Sequence, residues 1–382
     1  MLPYGRQTIE DDDIAAVAQA LKADFLTTGP TVEAFEQAFA RVVGARHAVA
    51  CANGTAALHL AMLALEAGPG DRVVAPSITF LATANCARYV GADVAFADVD
   101  PDTGLMTADT LREALARADG PVKAVLPVHL RGDACELPAL AAVARDAGAL
   151  LVEDAPHALG TRASFDGVTE TIGDGRHGAM ATFSFHPVKT IATGEGGMVT
   201  TNDPRLAERL RTLRSHGMVR PEGCEPWWYE MPEPGFNYRL PDILCALGLS
   251  QLAKLDRFAA RRRRLTAAYL DGLAPLAPLV VPARSPAWSD PVLHLMTVLI
   301  DFPAAGRTRL QVVEALKSRG VGSQVHYIPV HRQPYYRERY GALDLPGAEA
   351  WYARCLSLPL YPGMADEDVT AVVRALSEAL GL

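Results

Sequence analysis

The sequence predicts an α/β protein with a mainly parallel sheet covered by helices on both faces, followed by a smaller α+β part. Three observations predict it. From about residue 47, short apolar runs alternate with helical patterns, as in successive βαβ units. Seven such runs stand at 47–51, 72–75, 92–96, 124–128, 150–154, 182–185 and 198–201, which suits a seven-stranded sheet. Beyond residue 245 the alternation loosens, so the expected division is a large domain over 1–245, with an N-terminal arm, and a small domain over 246–382.

Taken in order, residues 1–7 read as irregular, with Pro3 and Gly5. Thr8 and Asp11 suggest a capped helix start, and Ile14, Val17, Ala18 and Leu21 keep an apolar stripe at helical spacing. Thr27, Thr28, Gly29 and Pro30 break the chain before a second helix with Phe35, Phe39 and Val42 on one face. After the seven runs, the Pro-, Trp- and Glu-rich stretch 219–236 reads as a long loop, a kind that usually carries function. A long helix over 241–270 is expected to lead into the small domain. Strands are expected there at 279–281, 294–300, 321–325 and 356–358, with helices at 308–319 and 366–380.

Bulk properties narrow the function classes. The 382 residues, 49% of them hydrophobic, suffice for two domains with sizeable cores. A net charge of −8 argues against a nucleic-acid partner, and the one basic run, Arg261 to Arg264, reads as a solvated helix face. The six cysteines are scattered with no C-x-x-C pair, which indicates neither a zinc site nor a disulfide framework. His129, His216 and His331 lack metal-ligand spacing. The opening segment carries Glu10 and three aspartates instead of a charged-then-apolar signal, and no uncharged run reaches membrane-spanning length. The expectation is a cytoplasmic protein without metal, nucleic-acid or membrane partners.

The chemistry concentrates around Lys189. The run ending at Phe185 stops at His186-Pro187, where a strand cannot continue because proline has no amide donor. Lys189 follows in a short loop, and Gly194, Gly196 and Gly197 allow a sharp return into the next strand. A confined amine loses its proton readily, so such a lysine suits a Schiff base with a carbonyl cofactor; a surface lysine in a hairpin would read the same. Earlier, the buried-strand pattern at 150–154 ends in Glu153 and Asp154. In an open α/β sheet, ligands sit beyond the carboxyl ends of strands, where Asp154 could pair with a protonated pyridine nitrogen or simply cap a helix. Asn53-Gly54-Thr55-Ala56 follows the first run and opens a helix whose amides could meet a phosphate, although any strand-to-helix turn looks alike.

Together, E-D-A-P-H-A-L-G (153–160), F-S-F-H-P-V-K (183–189) and G-E-G-G (194–197) resemble the DegT/DnrJ/EryC1/StrS sugar aminotransferases. These are fold-type I enzymes dependent on pyridoxal 5'-phosphate (PLP), which cycles with its pyridoxamine form. The likeness continues through 53–61, 76–85, 214–218, 235–243 and 357–363, and so covers nearly the whole chain. The resemblance implies Lys189 and Asp154 as catalytic residues. It further implies cofactor contacts from Thr55, Ala56, Phe80, His157 and Ser184, and from Asn237 of a neighbouring subunit, hence a homodimer with shared active sites. L-P-Y-G-R-Q (2–7), P-W-W-Y-E (226–230) and V-H-Y-I-P-V-H-R-Q-P-Y-Y (325–336) most resemble the branch acting in pseudaminic acid synthesis. That branch moves an amino group from L-glutamate to carbon 4 of a UDP-linked 4-keto-6-deoxy N-acetylated sugar. Tyr4, Leu26, Thr27, His326 and Tyr327 are the substrate contacts it implies. The runner-up is another nucleotide-sugar 4-aminotransferase, such as one making GDP-perosamine. Relatives with histidine at the lysine position act as dehydratases, and the lysine here favours transamination. A non-catalytic regulator with the same fold is the remaining alternative.

Overall fold

The computed structural model describes all 382 residues. Two helices, α1 (Asp11–Ala20) and α2 (Pro30–Val43), precede the first strand. α1 begins after Glu10, not Thr8, because the Asp13 carboxylate accepts from the Glu10 amide at 2.9 Å. Its apolar stripe does not face the core: Ile14 and Leu21 are exposed. Asp13 is buried instead, with Ala20, and is held by Ser250 at 2.6 Å, Gln251 at 2.8 Å and Lys254 at 2.7 Å. α2 buries Phe35 and Phe39 as expected, but with Val43; Val42 is turned outward.

The elements of the large sheet follow one another along the chain as the apolar runs suggest. Its elements are β1 (His47–Cys51), α3 (Gly54–Ala64), β2 (Arg72–Pro76), α4 (Leu81–Tyr89), β3 (Asp93–Ala97) and α5 (Ala108–Arg117). There follow β4 (Val122–Val125), α6 (Leu137–Asp146) and β5 (Leu150–Asp154). A hairpin of β6 (Arg162–Phe165) and β7 (Val168–Thr171) intervenes before β8 (Met180–Ser184), β9 (Gly197–Thr201) and α7 (Pro204–Leu213). The seven-stranded order is β1-β9-β8-β5-β4-β2-β3, with β9 antiparallel to both neighbours and every other step parallel. All seven expected runs are strands of this sheet. The run at 124–128 stops early, at Val125, where Pro127 cannot extend the ladder.

The C-terminal part departs more from expectation. The single helix over 241–270 is two, α8 (Asp242–Leu252) and α9 (Leu255–Leu273), broken at Lys254, whose ψ of 0° leaves the helical range. Beyond it lie β10 (Val280–Pro282), β11 (Ser289–Asp290), β12 (Met296–Ile300), α10 (Arg309–Ser318) and α11 (Pro334–Tyr340), then α12 (Pro346–Arg354), β13 (Cys355–Leu358) and α13 (Asp366–Leu380). β10, β12 and β13 form one antiparallel sheet, and β11 joins β6 and β7 in another. The stretch 321–325 is no strand of either. Gly320 and Gly322 instead bond Leu2 of the N-terminal arm, at 2.8 and 2.7 Å. Nor is the arginine run all solvated: Arg262 is buried and donates to the carbonyls of Leu293, His294 and Leu360. Its neighbours pair with Asp366 and Asp290. Two hydrophobic clusters result, one spanning the large sheet and α2–α4, the other joining α9, α10, α13 and the β10-β12-β13 sheet. No helix is long and apolar enough to cross a membrane.

Candidate active site

β5 and β8 run side by side and parallel, so Asp154 and the loop after Ser184 emerge at the same edge of the sheet. At that edge lies a cavity of about 700 Å³. The Lys189 loop is anchored from behind by an aromatic group. Phe35 and Phe39 of α2 pack on Phe183 and Phe185, with ring centroids 5.0 to 5.5 Å apart. Phe185 also fixes both ends of the loop, donating from its amide to Gly196 and accepting from Thr193. Inside this frame the Lys189 amide bonds the His186 carbonyl at 2.8 Å.

The electrostatics of the pair follow from enclosure. Burial pushes the Asp154 carboxyl up to about 6, against the opposing pull of the Thr83 hydroxyl and the Lys189 amine. Burial likewise pulls the Lys189 amine down to about 8, with Asp154 restraining the fall. Close to neutrality the cavity thus holds a carboxylate and an amine that is readily neutral, the combination needed by a nucleophile and its counter-charge.

A cradle for an anion adjoins them. Cys51 and Ser184 both pair with Gly197, which brings the N-terminus of α3 against Ser184. A Cβ on Gly54 would stand 2.8 Å from Ser184 Cβ, and one on Gly197 would meet the Asn53 carbonyl at 2.3 Å. Glycine at both positions permits this approach. Asn53 caps α3 by accepting from the Ala56 amide at 2.8 Å, leaving the amides of Gly54 and Thr55 without an intrahelical acceptor. The amide of Ala56 bonds Asn53 here, and Ala56 itself does not line the cavity.

Of the residues singled out from sequence, Tyr4, Thr55, Phe80, Asp154, His157, Ser184, Lys189, His326 and Tyr327 line the cavity. Leu26 and Thr27 do not; both are exposed in a turn outside it. Asn237, also exposed, lies outside the cavity of its own chain beside Ser215. Phe80 projects into the opening with 58% of its surface exposed, which leaves its ring face available for stacking. His157 is enclosed: its Nδ1 accepts from the Arg131 amide at 3.3 Å and its Nε2 lies 3.4 Å from the Tyr327 hydroxyl. Burial holds it well below the usual histidine range, so it is neutral. His326, brought down to about 3 by burial, is neutral as well and bonds Ser357 at 2.9 Å.

Sequence reasoning missed several residues here. Thr79, Thr83, Glu195 and Gln324 line the cavity, as does His186, whose side chain is exposed. His294 packs its ring 4.6 Å from that of His157, with no partner on its Nδ1. Thr79 and Thr83, four residues apart, carry a readable helical spacing; His294 carries no local signal. His129 and His331 serve the fold, the first bonded to Glu153 at 3.1 Å and the second to Ser77 at 2.6 Å.

A mostly parallel seven-stranded sheet with a lysine loop and a strand-end aspartate over a helix N-terminus defines a fold-type I PLP-dependent aminotransferase. Residues 7–377 match the model of the DegT/DnrJ/EryC1/StrS aminotransferase family, and the chain belongs to that family. Among solved structures it is similar to Helicobacter pylori PseC, an aminotransferase involved in the biosynthesis of pseudaminic acid. The TM-score is 0.91 and the identity 26%, covering 100% of this chain and 99% of that one. It is equally similar to the putative sugar aminotransferase Spr1654 from Streptococcus pneumoniae in its PMP form, with TM-score 0.91, 25% identity and the same coverage. DesI, solved in the presence of its TDP-sugar product, is 35% identical with TM-score 0.88, over 99% of this chain and 93% of that one. The protein is thus a sugar aminotransferase that uses PLP.

Proposed function

We propose that this enzyme transfers an amino group from L-glutamate to carbon 4 of a UDP-linked 4-keto-6-deoxy N-acetylated sugar. The product is UDP-4-amino-4,6-dideoxy-N-acetyl-β-L-altrosamine, destined for pseudaminic acid on flagellin or surface polysaccharide. One observation carries the chemistry: Lys189, Asp154, Ser184 and the α3 N-terminus converge on a single cavity. The full-length similarity to PseC, with Tyr4, His326 and Tyr327 on the outer wall, supports the sugar branch.

The residues divide the work. Gly54 and Thr55 amides with the Ser184 and Thr55 hydroxyls hold the phosphate. Phe80 would cover one face of the ring, and neutral His157 would hydrogen-bond at the phenolic oxygen. Asp154 would keep a proton on the ring nitrogen by accepting from it, a charge-assisted bond. When bound, PLP supplies an electron sink for the charge released as the donor's α-proton departs. Lys189 Nζ, neutral above about pH 8, would hold the cofactor, take the proton leaving the donor α-carbon in the first half-reaction and deliver one to sugar C4 in the second. Two half-reactions on one lysine imply ping-pong kinetics. Asn237 completes the phosphate site from the partner of a homodimer, a role supported by its exposure outside its own chain's cavity. We assign the two working parts to residues 1–245 and 246–382, and the enzyme to the cytoplasm. Six unpaired cysteines agree with a reducing compartment.

The 35% identity to DesI favours a second reading, a 4-aminotransferase for a sugar on another nucleotide, TDP or, as for GDP-perosamine, GDP. The test supplies each nucleotide-linked 4-keto-6-deoxy sugar with glutamate and compares kcat/KM. Preference for the UDP sugar is expected; preference for a TDP or GDP sugar overturns the branch and leaves the aminotransferase class intact.

A further inference from the structure

Asp154 must be ionised and correctly aimed to serve a protonated ring nitrogen, yet its burial opposes ionisation. Two threonines stand behind it. Thr83 of α4, 1% exposed, donates its hydroxyl to Asp154 Oδ2 at 2.5 Å. Thr79, 2% exposed, lies with Oγ1 2.7 Å from Thr83 Oγ1. A hydroxyl has one proton, and that of Thr83 goes to the carboxylate. The proton between the threonines therefore comes from Thr79, which gives the chain a direction: Thr79 to Thr83 to Asp154. Asp154 Oδ1 has no partner within the protein, and Asp154 lines the cavity.

We infer that Thr79 and Thr83 are positioning residues that tie back Oδ2 of Asp154 and leave Oδ1 as a single directed acceptor for the cofactor's ring nitrogen. The inference rests on the reading that Asp154 meets that nitrogen. The titratable groups around Asp154 are Lys189 from the loop after β8, His129 from the turn after β4, Cys86 of α4 and Tyr327. None of their side chains bonds the carboxylate, so Thr83 is its one hydrogen-bond donor. The pair also brackets Phe80, the N-cap of α4, so one turn of chain sets both the ring-stacking face and the carboxylate.

The test uses Thr83→Val, which removes the donor at nearly constant volume, and Thr83→Ser, which restores it. In the cofactor-free protein, carboxyl NMR follows the Asp154 titration, assigned with Asp154→Asn. A lost bond to the ionised form moves the Thr83→Val midpoint upward by about one pH unit. PLP affinity, from absorbance titration at pH 5, where the carboxyl must first ionise to accept from the ring nitrogen, falls about tenfold for the same reason and by much less at pH 8. Thr83→Ser returns both to the parent values, which a purely packing role would not. Thr79→Val, which keeps the Thr83–Asp154 bond, moves both in the same direction by less, and serves where Thr83→Val does not fold. Parent-like titration and affinity in Thr83→Val, no shift in Thr79→Val, or a serine variant as impaired as valine overturns the inference. If Asp154→Asn itself leaves PLP affinity and absorbance unchanged, the failure lies in the reading of Asp154.

Discussion

The inner wall of the cavity comes from regular elements: Asp154 ends β5, Ser184 ends β8, and Gly54 opens α3. The outer wall comes from connections, namely the arm at Tyr4 and the stretch from Gln324 to Ile328. The Leu26-Thr27 turn and the loop 219–236 are not part of the cavity lining. Trp227, Trp228 and Tyr229 of that loop are 74%, 51% and 57% exposed. Inner residues inherit their placement from the sheet and the phenylalanine group behind it; rim residues depend on what packs over them. The reacting side chains are thus set by regular elements, whereas the rim is set by connections.

The largest expected effect strikes the inner wall. Lys189→Ala should reduce turnover by several orders of magnitude and remove the borohydride-reducible lysine adduct while the protein still melts cooperatively. An adduct surviving on another lysine would move the catalytic centre elsewhere. Asp154→Asn should lower kcat by about 10² or more, with a smaller change in KM for the sugar, because it acts on the electron sink and not on sugar binding. The comparison then shifts to the rim. Lys189→Ala and Asn237→Asp proteins, each nearly inactive, should regain activity on mixing, since a heterodimer would hold one intact site. No recovery after verified subunit exchange assigns Asn237 to its own chain. Among substrates, the UDP sugar should exceed the GDP sugar by about tenfold in kcat/KM, the cost of one lost buried hydrogen bond. The smallest effect is one of pH. The neutral Lys189 amine is the reactive form, so PLP reconstitution of the cofactor-free protein should quicken as pH rises through about 8 and then level off. Continued acceleration toward the pKa of an ordinary lysine would show that enclosure does not tune this amine.

Much of the inner wall was legible because its signals are local. Strand runs broken by Pro187, glycines at the turn and an acidic strand end all act within a few residues, and the sheet met those expectations. The misses share a different cause. The polar hairpin β6-β7 and its partner β11 lack the apolar alternation that marks a strand, and are defined by pairing to each other. The helix break at Lys254 answers to acids on α1, some 240 residues away in sequence, and the stretch 321–325 divides its backbone bonds between Leu2, through Gly322, and Ser357, through Gln324.

The sequence by itself determined the alternating elements, the lysine loop, the strand-end aspartate and the family to which they belong. The elements, the loop and the aspartate are matters of periodicity, turn chemistry or spacing along the chain, and the family is a matter of resemblance in its motifs. Only the tertiary structure decided that α1 turns Ile14 outward and buries Asp13, that Ala56 spends its amide on Asn53, and that Thr83 stands behind Asp154. These follow from which faces meet once the sheet order is set. A buried polar group must find its partner among whatever residues packing brings near, however distant they are in the chain.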